Sequence, residues 1–179
     1  MMGRQRSSRG GFTLLELLAV FGVIAVLAGI AVPAFQRMTE SGRATACVSH
    51  LRQLGVALNS YLGDNNMEMP TLKAGRSTLT DDVPVIDNTL DKYVTDKSIF
   101  ACPADRKWAD ATGTSYYWNV ALNGQSLASL NFFKFVEDRS RIPLISDKEG
   151  FHPYLDNKVN VLYADGHATK DLKFFAEDP

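Results

Sequence analysis

From Leu17 to Phe35 the chain runs nineteen residues without a charge, dense in Leu, Val, Ile and Ala. At 1.5 Å per residue such a helix just crosses a hydrocarbon layer of about 30 Å. Glu16 stands inside the same apolar stretch, where an ionised carboxylate is costly unless something pairs with it, so this residue demands a partner. Beyond Phe35 the pattern changes. Gln36, Arg37, Thr39, Glu40 and Ser41 alternate with apolar positions, and Cys47, Leu51, Leu54, Leu58, Tyr61 and Leu62 then recur at the three-and-four spacing of one helical face. The spacing predicts one helix from Phe12 to about Leu62, roughly 75 Å long, apolar all round in its first half and one-faced in its second. Gly22, Gly29, Pro33 and Gly42 are places where it could bend, and the sequence Gly63-Asp64-Asn65-Asn66, with Pro70 beyond, ends it. A core helix following a separate anchor would carry the same stripe and differ only over residues 33–39.

After the helix the period shortens. Residues 67–82 read as a surface loop, 83–86 as a short extended piece, and 90–99 fit either a helical turn or a strand. Phe100-Ala101-Cys102-Pro103-Ala104-Asp105 is rich in turn formers. Strands are expected at 115–120, where Tyr116, Tyr117 and Trp118 favour a pleated surface, at 132–136, and at 142–146, the last two separated by a turn at 138–140. The clearest hairpin comes last: Val159, Val161 and Tyr163 alternate with Asn160, Leu162 and Ala164, Asp165-Gly166 reads as a type I′ turn, and 167–170 returns. The expected fold class is therefore α+β, a long transmembrane-plus-amphipathic helix on a small antiparallel sheet.

Charge adds direction. Arg4, Arg6 and Arg9 precede the apolar run, so the positive-inside rule puts residues 1–11 in the cytoplasm and everything after about residue 36 across the inner membrane. The 179-residue chain has a formal net charge of −1, and loss of those three arginines would make it −4. Outside the leader, basic residues occur singly among acids, which excludes a nucleic-acid footprint. The domain reading is a basic leader at 1–11, a transmembrane half-helix at 12–35, an amphipathic half at 36–63 and a globular part at 64–179.

An early apolar segment behind basic residues is similar to a secretory signal, yet small residues suited to cleavage lie before the run. The combination of basic leader, Gly11, Phe12, Thr13, Leu14, Leu15, Glu16 and the Pro33 that interrupts the helix closely resembles the type IV prepilin family, which includes the pilins and the pseudopilins of type II secretion. The resemblance implies a pilin-like fold, cleavage after Gly11 by a prepilin peptidase, and methylation of the new amino terminus at Phe12. It also implies that this amino group neutralises Glu16 of a neighbouring subunit, where the pair sets register more than affinity. The carboxy-terminal part is similar to a branch abundant in planctomycetes and related bacteria, through His152, residues 160–167, Arg43-Ala44-Thr45-Ala46-Cys47, Leu51-Arg52-Gln53-Leu54-Gly55, the Cys102-Pro103-Ala104-Asp105 turn, Ser115-Tyr116 and Asn119. The distance from His152 to Asp165 is longer here than is usual in that branch.

Cys47 and Cys102 are the only cysteines. Outside the cytoplasm they can form a disulfide; two buried thiols or a shared metal are the alternatives, and no Cys-x-x-Cys spacing is present. Asp147, His152, Asp165 and His167 offer metal or hydrolase chemistry on paper, but turn and sheet packing accounts for them. No catalytic residue is expected, and no cofactor, apart from a calcium ion that resemblance to the major pseudopilins implies, with Asp147, Glu149, Asp156 and Asp165 as oxygen donors. The family implies a non-enzymatic filament subunit with copies of itself or homologous subunits, the peptidase and an inner-membrane assembly platform as partners. The alternative is a minor or tip protein whose outer domain binds a surface, a polysaccharide or a secreted substrate.

Overall fold

The computed structural model describes residues 13–131, 136–152 and 159–170. Helix α1 runs unbroken over Leu14–Asp64, with Pro33 inside it. Pro33 has no N–H to offer the carbonyl of Gly29, so the helix passes through with one rung missing. The chain divides into two compact units at Met38/Thr39. In the first, every described side chain from Leu14 to Met38 is exposed, including Phe21, Ile24, Leu27 and Phe35. α1 is the one helix among the described residues long and apolar enough to cross a membrane.

In the second unit, Ala44, Cys47, Val48, Leu51, Leu54, Leu58 and Leu62 are buried on one face of α1, and Arg52, Gln53, Val56 and Asn59 on the other are exposed. This apolar stripe forms one core with a four-stranded antiparallel sheet of order β1-β2-β3-β4, made of Tyr116–Trp118, Pro143–Asp147, Val161–Tyr163 and Ala168–Thr169. Tyr116 pairs with Asp147, Ser146 with Val161, and Leu162 with Ala168. The expected strands at 115–120 and 142–146 thus appear within a few residues of their places. Residues 132–135 of the remaining strand expectation lie outside the described residues.

Helix meets sheet closely at Gly55. A Cβ there would stand 3.3 Å from both terminal methyls of Leu162 on β3, so the absence of a side chain sets how near the two layers come. After Asp64 the chain turns through left-handed backbone at Asn66 and Met67, φ 53° and 58°, and the Met67 N–H donates to the Leu62 carbonyl at 2.9 Å. Residues 67–82 carry no helix or strand of their own, as expected of a loop, but the isolated bridge between Glu68 and Ser126 pins their start.

The structure resolves three local expectations, shortening one, deciding one and correcting the last. The extended piece expected at 83–86 is extended at Val85, φ −139° and ψ 173°, but ends before Ile86, which opens the short helix α2, Ile86–Thr89, whose first turn is closed by Asn88 Oδ1 accepting from the Val85 N–H. Of the two alternatives for residues 90–99, the structure takes the helical turn: they form the 3-10 turns Asp91–Tyr93 and Lys97–Phe100, the second capped by Asp96. The β3–β4 loop is not a two-residue type I′ turn. Tyr163 N–H donates to the His167 carbonyl and Gly166 N–H to the Tyr163 carbonyl, both at 2.9 Å, enclosing a three-residue loop. Gly166 alone in it takes positive φ, 90°, whereas type I′ would require this of Asp165 too.

The Gly55 contact gives a test. Gly55→Val should destabilise the folded chain by about 1–3 kcal/mol through overpacking, and adding Leu162→Ala should recover part of that loss, read as non-additivity in urea denaturation.

Candidate functional site

The sequence-predicted residues fall into three places. At the head of α1, Thr13 and Glu16 form a capping box. Glu16 Oε2 accepts from the Thr13 N–H and from Thr13 Oγ1, each at 2.9 Å, and Thr13 Oγ1 accepts from the Glu16 N–H at 3.2 Å. The partner that Glu16 demands is thus present in its own chain. The signal for it in the sequence is the Thr-x-x-Glu spacing, Thr13 to Glu16. Gly11 and Phe12 lie outside the described residues.

The second place is the joint between α1 and the turn before β1. Cys47 and Cys102 are joined by a disulfide, Cα to Cα 5.0 Å, spanning 55 positions of sequence. His50, one turn further along α1, bonds through Nδ1 to the Ala101 carbonyl at 2.9 Å. Asp105 organises the turn itself: it accepts from the N–H groups of Lys107, Trp108 and Ala109, all at 2.8 Å, and from Ser115 Oγ at 2.6 Å. Desolvation pushes its pKa up, but these bonds to the ionised form outweigh it and the net shift is downward. Ser115 Oγ in turn accepts from the Cys102 N–H. The short helix α3, Trp108–Thr112, starts from this carboxylate.

Beside the disulfide lies a pair that the sequence reading missed. His152, buried, bonds through Nδ1 to Glu40 Oε1 at 2.9 Å, and its Nε2 stands 3.5 Å from Cys102 Sγ. Glu40 is itself buried and lies 3.6 Å from Arg43. A signal existed, since Glu40 sits four residues before Ala44 and seven before Cys47, on the face that the apolar stripe defines.

The third place holds the acidic candidates, and they are dispersed among separate partners. Asp147 is buried at the end of β2, where its Oδ2 accepts from the Asn160 N–H at 2.9 Å and from Asn160 Nδ2 at 2.7 Å. Its Oδ1, Asn160 Oδ1 and the Tyr116 hydroxyl have no hydrogen-bond partner among the described residues. Burial raises the Asp147 pKa to about 7, against the opposing pull of the Asn160 bonds and with help from the negative Asp105. Asp165, exposed at the hairpin loop, bonds to His167 Nδ1, and the His167 ring stacks on Tyr163 with centroids 4.6 Å apart. Glu149 is exposed and Asp156 lies outside the described residues. Among the described residues the one group of three or more donors close enough to share a metal is Cys47, Cys102 and His152, so Asp147, Glu149 and Asp165 do not gather around a calcium-sized point.

A long helix with an exposed apolar half, a packed half and a small antiparallel sheet defines a pilin-like α+β protein. A family model described as the prokaryotic N-terminal methylation motif matches residues 6–32. The chain is 32% identical to the type II secretion system core protein G of Escherichia coli (strain K12) over 57% of its own length and 69% of that protein's. It is 35% identical to the Aeromonas hydrophila protein of the same description, over 42% of this chain and 52% of that one. Against a fimbrial protein of Moraxella nonliquefaciens it is 34% identical over 45% and 49%. The match thus spans about half the length of the latter two. No solved structure matches the chain. The chain belongs to the family of type II secretion pseudopilins and fimbrial proteins, which is structural and not catalytic.

Two outcomes test the joint and the buried acid. Cys47→Ala/Cys102→Ala should lower unfolding stability by about 2–5 kcal/mol, and peptide mapping of exported wild type under non-reducing conditions should recover the two cysteines in one linked fragment. Because folding raises the Asp147 pKa above its unfolded value near 4, the stability it contributes is complete below that pH and is lost as pH rises towards about 7. Asp147→Asn, which keeps the acceptor for Asn160, should therefore be more stable than wild type at pH 8, by about 1–3 kcal/mol, and show little or no such gain at pH 4. Paired thermal melts at the two pH values read the difference.

Proposed function

We propose that this chain is a subunit of a type II secretion pseudopilus or related pilus-like filament, of the branch marked by a His and an Asp-Gly-His hairpin. In this reading a prepilin peptidase cuts after Gly11 and methylates Phe12, and an inner-membrane platform feeds the mature chain into the filament. The leader stays cytoplasmic, and the sheet-bearing unit stands on the outer side, where oxidation of Cys47 and Cys102 is permitted. One observation carries the reading: the methylation motif lies on a helix whose first twenty-five described positions, 14–38, bury no side chain within their own subunit. So much exposed apolar surface needs either lipid or like helices around it.

The capping box supports a specific reading of the assembly step. In a lone subunit Glu16 is satisfied by Thr13. In the filament, the cationic amino group of a neighbour's Phe12 takes its place beside the carboxylate. The net gain is the difference between two hydrogen-bonded states, which suits a device that fixes stagger.

Maturation and assembly are tested separately. Coexpression with a prepilin peptidase should remove residues 1–11 and leave N-methyl-Phe12, seen by intact-mass and amino-terminal peptide spectrometry; retention of the leader, or cleavage after Ala28 or Ala31, would overturn the reading. Glu16→Ala should still be cut and inserted, yet enter filaments poorly, scored by crosslinking between cysteines introduced at matched helix positions. Unchanged crosslinks with defective membrane insertion would show that Glu16 serves anchoring and not register.

A further inference from the structure

Cys47, Cys102 and His152 present three soft or borderline donors whose ligand atoms all lie within 4.8 Å of one another, each residue buried. We propose that the dithiol form of this chain holds one Zn²⁺ at this point, with the two thiolates and His152 Nε2 as ligands and Glu40 as the residue that orients the imidazole.

The geometry favours a tetrahedral ion. With zinc–sulfur bonds of about 2.3 Å and zinc–nitrogen bonds of about 2.0–2.1 Å, the sulfur–nitrogen edge of a tetrahedron is about 3.5 Å. Cys102 Sγ and His152 Nε2 already stand 3.5 Å apart. The two sulfurs need only separate from a covalent bond to thiol contact, about 3.8 Å in the same tetrahedron, while the chain around them keeps its place. A water molecule or a second solute completes the fourth position.

The imidazole is set up for ligation. An ionised carboxylate can only accept, so the contact from Glu40 Oε1 places the ring hydrogen on Nδ1 and leaves the Nε2 lone pair facing Cys102. A carboxylate behind the distal nitrogen of a metal-binding histidine is a recurrent arrangement that fixes ring orientation and raises ligand basicity. Charge also balances: two thiolates neutralise the ion, and Glu40 is opposed by Arg43 at 3.6 Å.

The ion and the disulfide are alternative states of the same side chains. A dithiol or phosphine reductant supplies two electrons to the Cys47–Cys102 bond, which takes up two protons to give two thiols while the reductant is oxidised. Zinc then displaces both thiol protons. Oxidation in the reverse sense, with a disulfide-exchange oxidant accepting two electrons, closes the bond and releases the ion.

The test uses the full mature chain in detergent micelles, reduced with a phosphine under anaerobic conditions and titrated with Co²⁺. One equivalent should bind, giving the near-ultraviolet thiolate-to-cobalt band and the intense visible bands of a four-coordinate ion; Zn²⁺ should bleach them and protect both cysteines from alkylation. The unreduced chain should give no such bands. His152→Ala and His152→Gln should each weaken binding at least about tenfold, and Glu40→Gln should weaken it about 10–100-fold with one ion still bound. The proposal is overturned if the reduced wild-type chain gives no thiolate band, if both His152 variants bind with wild-type affinity, or if circular dichroism shows the reduced chain unfolded and unable to take up the ion.

Discussion

The close approach of α1 to β3 at Gly55 and Leu162 is the constraint on which the packing of helix against sheet depends, since a Cβ at this position would stand 3.3 Å from the Leu162 methyls. Leu51, Leu54 and Leu58 of the helix lie with Leu162 in the same buried core. The sheet has only four short strands, so little of the core could form without the helix; isolated small sheets are marginal until a face is covered. The same helix, before residue 39, has no such cover among the described residues. One continuous element therefore serves two environments, and its sequence changes from all-round apolar to one-faced where it enters the second unit.

Polar groups, and not regular elements, hold the long irregular stretches between the strands. Asp105 gathers four donors at the turn before β1, and Ser115 links that carboxylate to the backbone of Cys102. Asn123 does comparable work for the loop after α1, accepting from the Leu72 N–H and the Trp118 indole and donating to the Leu72 carbonyl. Each arrangement satisfies backbone groups that no ladder reaches, which is how a chain with so few strand residues buries a single core.

The helix, the first two strands and the closing hairpin could be read from periodicity, because burial on one face imposes a repeat that survives in the residues themselves. The short helix at 86–89 could not, since Ile86 favours extended backbone and follows an extended Val85, and a single Asn88 side chain closes the first turn. The hairpin is legible but its loop type is not: Asp-Gly fits two turn geometries, which differ in the closing hydrogen bonds and in the sign of φ at Asp165. At the candidate sites, Glu16 stood out by its isolation, yet its Thr13 partner was legible three residues away. Glu40 and His152 are 112 positions apart, and no local pattern links them. Their pairing is a product of the fold.

The position of the Cys47–Cys102 bond has a mechanical consequence. It lies near the start of the buried stripe of α1, with Leu51, Leu54, Leu58 and Leu62 all beyond it. A pull along the helix from its amino-terminal side reaches this covalent link before it reaches those leucines. Load is then diverted through Cys102 into the turn anchored by Asp105, and the apolar contacts beyond are spared the shear that would otherwise peel the helix from the sheet one turn at a time.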